Sequence, residues 1–412
     1  MSTPSRPARP APAQTGQDAA SRPVSKPRLV SRKVPFNAPA MVGDEFYHIA
    51  DAIHRGQLSG DGHYTRACEA WLRNKTNARS ALLTHSCTAA LEMASILLDL
   101  GPGDEVVMPS YTFVSTANAV AVRGAAPVFV DIEPRTLNID PALVEAAITP
   151  RTRAIYVVHY AGVVADMDAI TAIAERHGLV VVEDAAQALG STRGGAQAGS
   201  FGHMATFSFH ETKNVISGEG GALILNDESL VERAEIVREK GTNRKRFFRG
   251  EVDKYTWVDV GSSYVPGELI AAFLYAQLGE EGAIMERRRA VWDFYDAALR
   301  PVAERFGIGL PHVPTDAEHN AHMYYLVMPS LDARAAFIAA LKARGVSAPF
   351  HYVPLHSAPA GRRYGRTPAP MPVTDDIAAR LVRLPLYHAM RDQSVVMEAV
   401  TEALEGLVGG GA

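Results

Sequence analysis

Between Ser80 and Leu225, short apolar runs alternate with stretches whose apolar residues return every three or four positions. That is the signature of buried strands separated by amphipathic helices. The runs predict strands at Ser80–Thr84, Glu105–Met108, Pro127–Val130, Ala154–Val158, Leu179–Val182, Ala205–Ser208 and Ala222–Leu225. Helices are expected between them at Thr88–Asp99, Ser115–Val122, Pro141–Ala147, Asp168–His177 and Glu228–Arg238. Such alternation gives an α/β fold with a mostly parallel, seven-stranded sheet covered on both faces. Gly101-Pro-Gly103 is expected to stop the first of these helices, with a left-handed glycine closing it.

Ahead of the sheet, Phe46, Ile49, Ala50 and Ile53 mark a helix within Gly43–Gly56, and Ala67, Trp71 and Leu72 mark another over Tyr64–Lys75. The polar segment Leu58-Ser-Gly-Asp-Gly62 separates the two. Past Leu278 the pattern turns more helical, with Ala283–Leu299 amphipathic, followed by shorter strands at Tyr324–Met328 and Ala348–Pro354. The expected organisation is a disordered tail over residues 1–33, a large domain over 34–278 with an extended lead-in, and a smaller C-terminal α/β domain over 279–412. Residues 409–412 read as a frayed end.

The 412 residues carry a formal net charge of −4 with no long basic or acidic block, which argues against nucleic-acid and membrane partners. The two cysteines, Cys68 and Cys87, have neither metal-site spacing nor the numbers of a disulfide framework, so no metal and a reducing, cytoplasmic setting are expected. The Pro-, Ala-, Ser- and Arg-rich start lacks the apolar core of a secretory signal. No apolar run is long enough to cross a bilayer.

The chemistry lies in an ordered set of segments. Val180-Val-Val-Glu-Asp-Ala-Ala-Gln187 is an apolar strand ending in carboxylates, and Ser208 and Lys213 follow it, then the glycine-rich Ser217-Gly-Glu-Gly-Gly221. This order suits a pyridoxal phosphate (PLP) site: Lys213 as the Schiff-base lysine and general acid-base, Asp184 against the pyridine nitrogen, Gln187 toward the ring hydroxyl. Thr84–Leu91 runs from strand into helix, so the backbone N–H groups of Thr88 and Ala89 are candidates for the phosphate, with Ser208 as a second contact. Phe113 or Tyr111, after the next strand, is the candidate platform for the ring.

Taken together, Leu58–Gly62, Pro102–Val106, Glu183–Gln187, Ser208–Asn214 and Gly218–Gly221 resemble the sugar aminotransferases of the DegT/DnrJ/EryC1/StrS family, which implies the type I aspartate aminotransferase fold from Val34 to about Leu407. Phe209–Asn214, Lys240–Arg244, Phe247–Gly250, Asp253–Trp257 and Phe350–His356 resemble the branch that makes dTDP-4-amino-4,6-dideoxygalactose. The resemblance implies a nucleotide-linked ketosugar and L-glutamate as substrates, His159, Tyr160, Arg249 and His351 as sugar contacts, and a homodimer with shared active sites. One departure is Val265, where many members place an asparagine that reaches the neighbouring subunit's cofactor phosphate. The alternatives are another nucleotide ketosugar, the gluco epimer as product, or a non-catalytic regulatory or carbohydrate-binding protein.

Overall fold

The computed structural model describes residues 33–409, so the expected tail, apart from Lys33, and the last three residues lie outside them. Two helices come first, α1 (Glu45–His54) and α2 (His63–Thr76). The Glu268 carboxylate caps α2, accepting the N–H groups of Gly62, Tyr64 and Thr65 at 2.9, 2.7 and 3.1 Å. A side chain on Gly62 would collide with that carboxylate.

Strands and helices then alternate: β1 (Ser80–Thr84), α3 (Cys87–Leu97), β2 (Glu105–Pro109), α4 (Val114–Ala121), β3 (Ala126–Val130), α5 (Pro141–Ala147), β4 (Thr152–Val158), α6 (Met167–His177) and β5 (Val180–Asp184). A small hairpin, β6 (Thr192–Arg193) and β7 (Ala196–Gln197), leads to β8 (Met204–Ser208) and β9 (Gly221–Leu225). The seven apolar runs form one sheet in the order β1-β9-β8-β5-β4-β2-β3. Only β9 runs against its neighbours; the other pairings are parallel. Helix α3 closes on Asp99, whose φ is +51°, rather than on Gly101. There the Leu100 N–H reaches back to the Ser95 carbonyl at 3.2 Å, and an aspartate tolerates the left-handed conformation well enough to end the helix two residues early.

After the sheet come α7 (Val231–Arg238), α8 (Arg244–Phe248), α9 (Glu268–Gly279) and α10 (Glu281–Leu299). One sheet face packs Leu72 of α2, Ile170 of α6 and Leu274 of α9, and the other packs Leu91 of α3, Val120 of α4 and Val237 of α7. Helix α10 bridges two cores: Ile284 and Met285 belong to the first, whereas Val291, Trp292, Tyr295 and Leu299 belong to a separate C-terminal core. The smaller domain is completed by α11 (Ala303–Phe306), β10 (Ala317–Glu318), β11 (Tyr324–Val327), α12 (Leu331–Ala343), α13 (Pro359–Tyr364), α14 (Pro372–Arg380), β12 (Leu381–Leu384) and α15 (Gln393–Gly409). Val34 from the lead-in bridges Val346 and is buried in this C-terminal core.

The strand expected at Ala348–Pro354 does not form. Pro349 and Pro354 have no N–H to give a ladder, and β11 pairs instead with β12, Tyr324 opposite Leu384 through Val327 opposite Leu381.

Candidate active site

The carboxyl ends of β1, β2, β4, β5 and β8 share one edge of the sheet, because β9 reverses direction twice over: Thr84 and Ser208 both lie opposite Gly221. That edge is where open α/β sheets collect ligands. Gly221 is needed there, since a Cβ would lie 2.4 Å from the Ser86 carbonyl carbon and the Cys87 nitrogen, so the turn that opens α3 sits directly on the start of β9. The β8–β9 connection carries Lys213, tied back by the Lys213 N–H to the His210 carbonyl at 2.9 Å and by the Ser217 N–H to the Phe209 carbonyl at 2.7 Å.

A cavity of about 700 Å³ opens at this edge, lined by Lys213, Asp184, Gln187, Phe113, Ser208, Thr88 and His351 among others. Asp184, at the end of β5, is nearly buried; its carboxylate accepts the Thr116 hydroxyl at 2.7 Å and the Ala186 N–H at 3.2 Å. Gln187 is held at both ends, accepting the Ala161 N–H and donating to the Tyr352 hydroxyl, each at 2.7 Å. Phe113 stands 57% exposed at the mouth of α4, its ring 6.4 Å from that of Tyr352. Thr88 bonds Ser115 at 2.7 Å through its hydroxyl.

Ala89 departs from expectation. Its N–H donates to Ser86 Oγ at 3.1 Å, the ordinary capping bond, and its side chain is buried in the core, so the turn presents Ser86, Cys87 and Thr88 to the cavity instead. Three of the four residues expected at the sugar also lie elsewhere. His159 is fully buried: its Nδ1 accepts the Ala165 N–H at 3.2 Å, so Nε2 carries the hydrogen that goes to Glu183 at 2.8 Å. Tyr160 is 1% exposed and supports His351 from behind, hydroxyl to Nδ1 at 2.8 Å. Arg249 is spent on Glu251 and Glu235 at 2.7 and 2.9 Å, at the end of α8 and off the cavity wall. Val265, the departure noted above, is packed against Gly60.

The structure adds groups the sequence reading passed over. Arg383 of β12 lines the cavity, stacks over Phe36 at 4.5 Å, donates to the Phe350 carbonyl, and has a buried Nε without a hydrogen-bond partner. His322 and Tyr352 also face the cavity. A guanidinium in the short apolar run Leu381-Val-Arg-Leu384 was the one available signal, since charge inside a buried strand asks for a reason. For His322 the sequence offers none.

Burial pushes the Lys213 ammonium below its ordinary pKa and Arg383 adds to this, against the opposing pull of Cys87 and Asp184. The Cys87 thiol is pushed up to about 12, chiefly by burial, which disfavours the thiolate. His322 and His351 are both held well below the usual histidine range, burial being the first cause. The site thus combines an amine that gives up its proton easily with a hydrogen-bonded carboxylate across the same cavity.

A profile of the DegT/DnrJ/EryC1/StrS aminotransferase family matches residues 39–403. The chain belongs to that family. It is 35% identical over 386 residues to the spore coat polysaccharide biosynthesis protein SpsC of Bacillus subtilis (strain 168), covering 90% of this chain and 97% of that one. Among solved structures it is similar to the aminotransferase TlmJ from Streptoalloteichus hindustanus, with a TM-score of 0.83, 31% identity, and 92% and 99% of the two chains covered. The putative sugar aminotransferase Spr1654 from Streptococcus pneumoniae, solved in a PLP-form, matches at TM-score 0.83 and 27% identity over 91% of this chain and 99% of that one. The protein is a PLP-dependent aminotransferase of the type I fold. Its residues fit the cofactor: the Gly221 approach shapes a cradle of backbone at Ser86–Thr88, and the donor set pairs one lysine with one carboxylate.

Proposed function

We propose that this aminotransferase moves the amino group of L-glutamate to the C4 carbonyl of dTDP-4-keto-6-deoxyglucose, giving dTDP-4-amino-4,6-dideoxygalactose and 2-oxoglutarate. The observation that carries the reaction class is the meeting of Lys213 and Asp184 in one cavity at the carboxyl edge of the sheet. The choice of sugar rests on the segments at Phe209–Asn214, Lys240–Trp257 and Phe350–His356 that resemble the galacto-forming branch.

Bound PLP supplies an electron sink for the substrate's amine-bearing carbon. Lys213 Nζ would carry a proton between that carbon and the cofactor, away from the donor's carbon in one half-reaction and to the sugar's C4 in the other, a role its lowered pKa favours. Asp184, held in place by Thr116 and Ala186, would meet the ring nitrogen. Thr88 and Ser208 would hold the phosphate, Phe113 would cover the ring, and Gln187 would serve the ring hydroxyl. Arg383 suits a carboxylate of the amino donor: it is a cation on the cavity wall with an unpaired Nε, and guanidinium matches carboxylate geometry. His351, braced by Tyr160 and stacked on Tyr352 at 3.6 Å, lies on the sugar side.

A homodimer is part of the proposal. Phe46 and Tyr47 on α1, and Phe248 and Trp257 in and after α8, are 71%, 69%, 66% and 77% exposed, apolar side chains that a second subunit would cover. Cytoplasmic placement is proposed on cysteine usage; among the described residues no helix is long and apolar enough to cross a membrane and no acid, histidine and cysteine cluster could hold a metal.

The test is incubation of the purified protein with L-glutamate and a panel of nucleotide 4-ketosugars, read by product mass and NMR. The dTDP-4-keto-6-deoxyglucose product should show a small coupling between H3 and H4, as an axial C4 amine requires. A large diaxial coupling would assign the gluco epimer, and turnover only with a different ketosugar would replace the substrate.

A further inference from the structure

Asn214 follows Lys213 and is buried, and its side-chain amide has only one orientation open to it. One end lies 2.7 Å from the Asn320 carbonyl oxygen, a group that only accepts, so that end is the NH₂. The other end is therefore the oxygen, and it lies 3.0 Å from His322 Nδ1. An amide oxygen can only accept. His322 thus carries its hydrogen on Nδ1.

The groups around His322 oppose a second proton: burial first, then Lys213, Arg288 and Arg383, with His351 on the same wall. Its Nε2 is left bare on a ring that lines the same cavity as Lys213, near enough for the lysine's charge to act on it. The backbone that presents this ring is clamped. Ala321 adopts a left-handed φ of +52°, unusual for a residue with a Cβ. The buried Arg288 guanidinium donates to the carbonyls of Ala321 and His322 at 3.2 and 2.7 Å, and Asn320 ties the turn to the carbonyls of Gln187 and Leu189 at 2.8 and 2.9 Å.

We propose that Asn214 is a positioning residue: it fixes His322 with Nε2 as an acceptor, and that nitrogen takes a hydrogen bond from the Lys213 ammonium when the amine turns across the cavity with the proton it shuttles. The bond keeps the proton-bearing amine in the cavity, and because it favours the charged form it offsets part of the depression that burial and Arg383 impose on Lys213. Asp184 and Cys87, the other groups that raise the lysine, approach from β5 and α3, whereas this acceptor comes from the C-terminal domain. The inference rests on the reading of Lys213 as the PLP lysine.

Two measurements test it. In protein labelled with ¹⁵N-histidine, with the His322 signals assigned by their loss in His322→Gln, the wild type should show a protonated Nδ1 and an unprotonated Nε2. Hydrogen on Nε2 would overturn the proposal. The Lys213 pKa, taken from the pH dependence of the rate at which cofactor-free protein binds PLP covalently, should fall by about one unit in His322→Phe and in Asn214→Leu. The double substitution should lower it no further, and His322→Gln, which keeps an acceptor, should restore most of it. An unchanged lysine pKa in folded His322→Phe would sink the hydrogen bond. Failure of Asn214→Leu to fold leaves the wild-type spectrum and His322→Phe to decide. Borohydride fixation of PLP to another lysine would fail the functional reading alone, since the tautomer measurement does not depend on it.

Discussion

Two adjacent carboxylates end β5, and replacing each by its amide should give opposite phenotypes. Glu183 is fully buried and accepts four hydrogen bonds: Phe201 and Gly202 N–H on Oε1 at 2.8 and 2.7 Å, Gly199 N–H and His159 Nε2 on Oε2 at 2.8 Å each. Glutamine at this position has a single oxygen. Whichever way it turns, its NH₂ faces two donors, so two bonds are lost and two buried donors are left unmet. Bonds to a charged group are worth about 1.5–3 kcal/mol each, which puts the cost of Glu183→Gln at about 3–6 kcal/mol. That is a large part of the roughly 5–15 kcal/mol typical of a folded domain. Urea denaturation of cofactor-free protein, followed by the fluorescence of Trp71, Trp257 and Trp292, should show a much lower midpoint. A midpoint within error of the wild type would refute the view that Glu183 anchors the 199–202 loop.

Asp184→Asn, by contrast, should keep the wild-type urea midpoint, because the Thr116 hydroxyl can turn to suit an amide, yet lose turnover on the order of a hundredfold through the missing charge; near-normal rates in the folded variant would remove Asp184 from the chemistry. Acid stability follows from His322 and His351, whose folded pKa values lie well below the usual histidine value. Below about pH 6.5 the unfolded chain binds protons these residues refuse in the fold, so stability is fully present above that pH and falls as the pH drops below it. Carboxylates with lowered pKa, such as Glu105 at about 2, add their own loss only at lower pH. The wild-type urea midpoint should therefore drop over this interval, and His322→Gln should drop less; equal slopes would contradict the assignment.

Local signals carried the sheet: each of its seven strands is a compact apolar run, and Ser80–Thr84 and Pro141–Ala147 form with the expected bounds. That Thr88, Asp184, Ser208 and Lys213 meet in one cavity was equally legible, because each ends or follows a readable strand. The substrate side was not. His159 and Tyr160 also follow a strand, but the chain turns down beneath the sheet edge at Ala161, whose φ is +56°, and nothing in His159-Tyr-Ala-Gly162 announces that turn. Arg383, His322 and Tyr352 come from a domain whose strands are four residues long or shorter, too short for periodicity to separate from noise.

The hairpin that joins β8 to β9 sets a timetable for the site. Once residue 225 has left the ribosome, every strand that delivers a residue toward the cofactor has been made, and the lysine is already held by its neighbours in the chain. Arg383 is 170 residues further on (383 − 213), which at about 5–20 residues per second is roughly ten to thirty seconds of synthesis. The cavity wall that carries Arg383 is therefore the last to arrive. A nascent chain stalled in that interval would possess its lysine and its carboxylate before it possessed the far wall of their cavity.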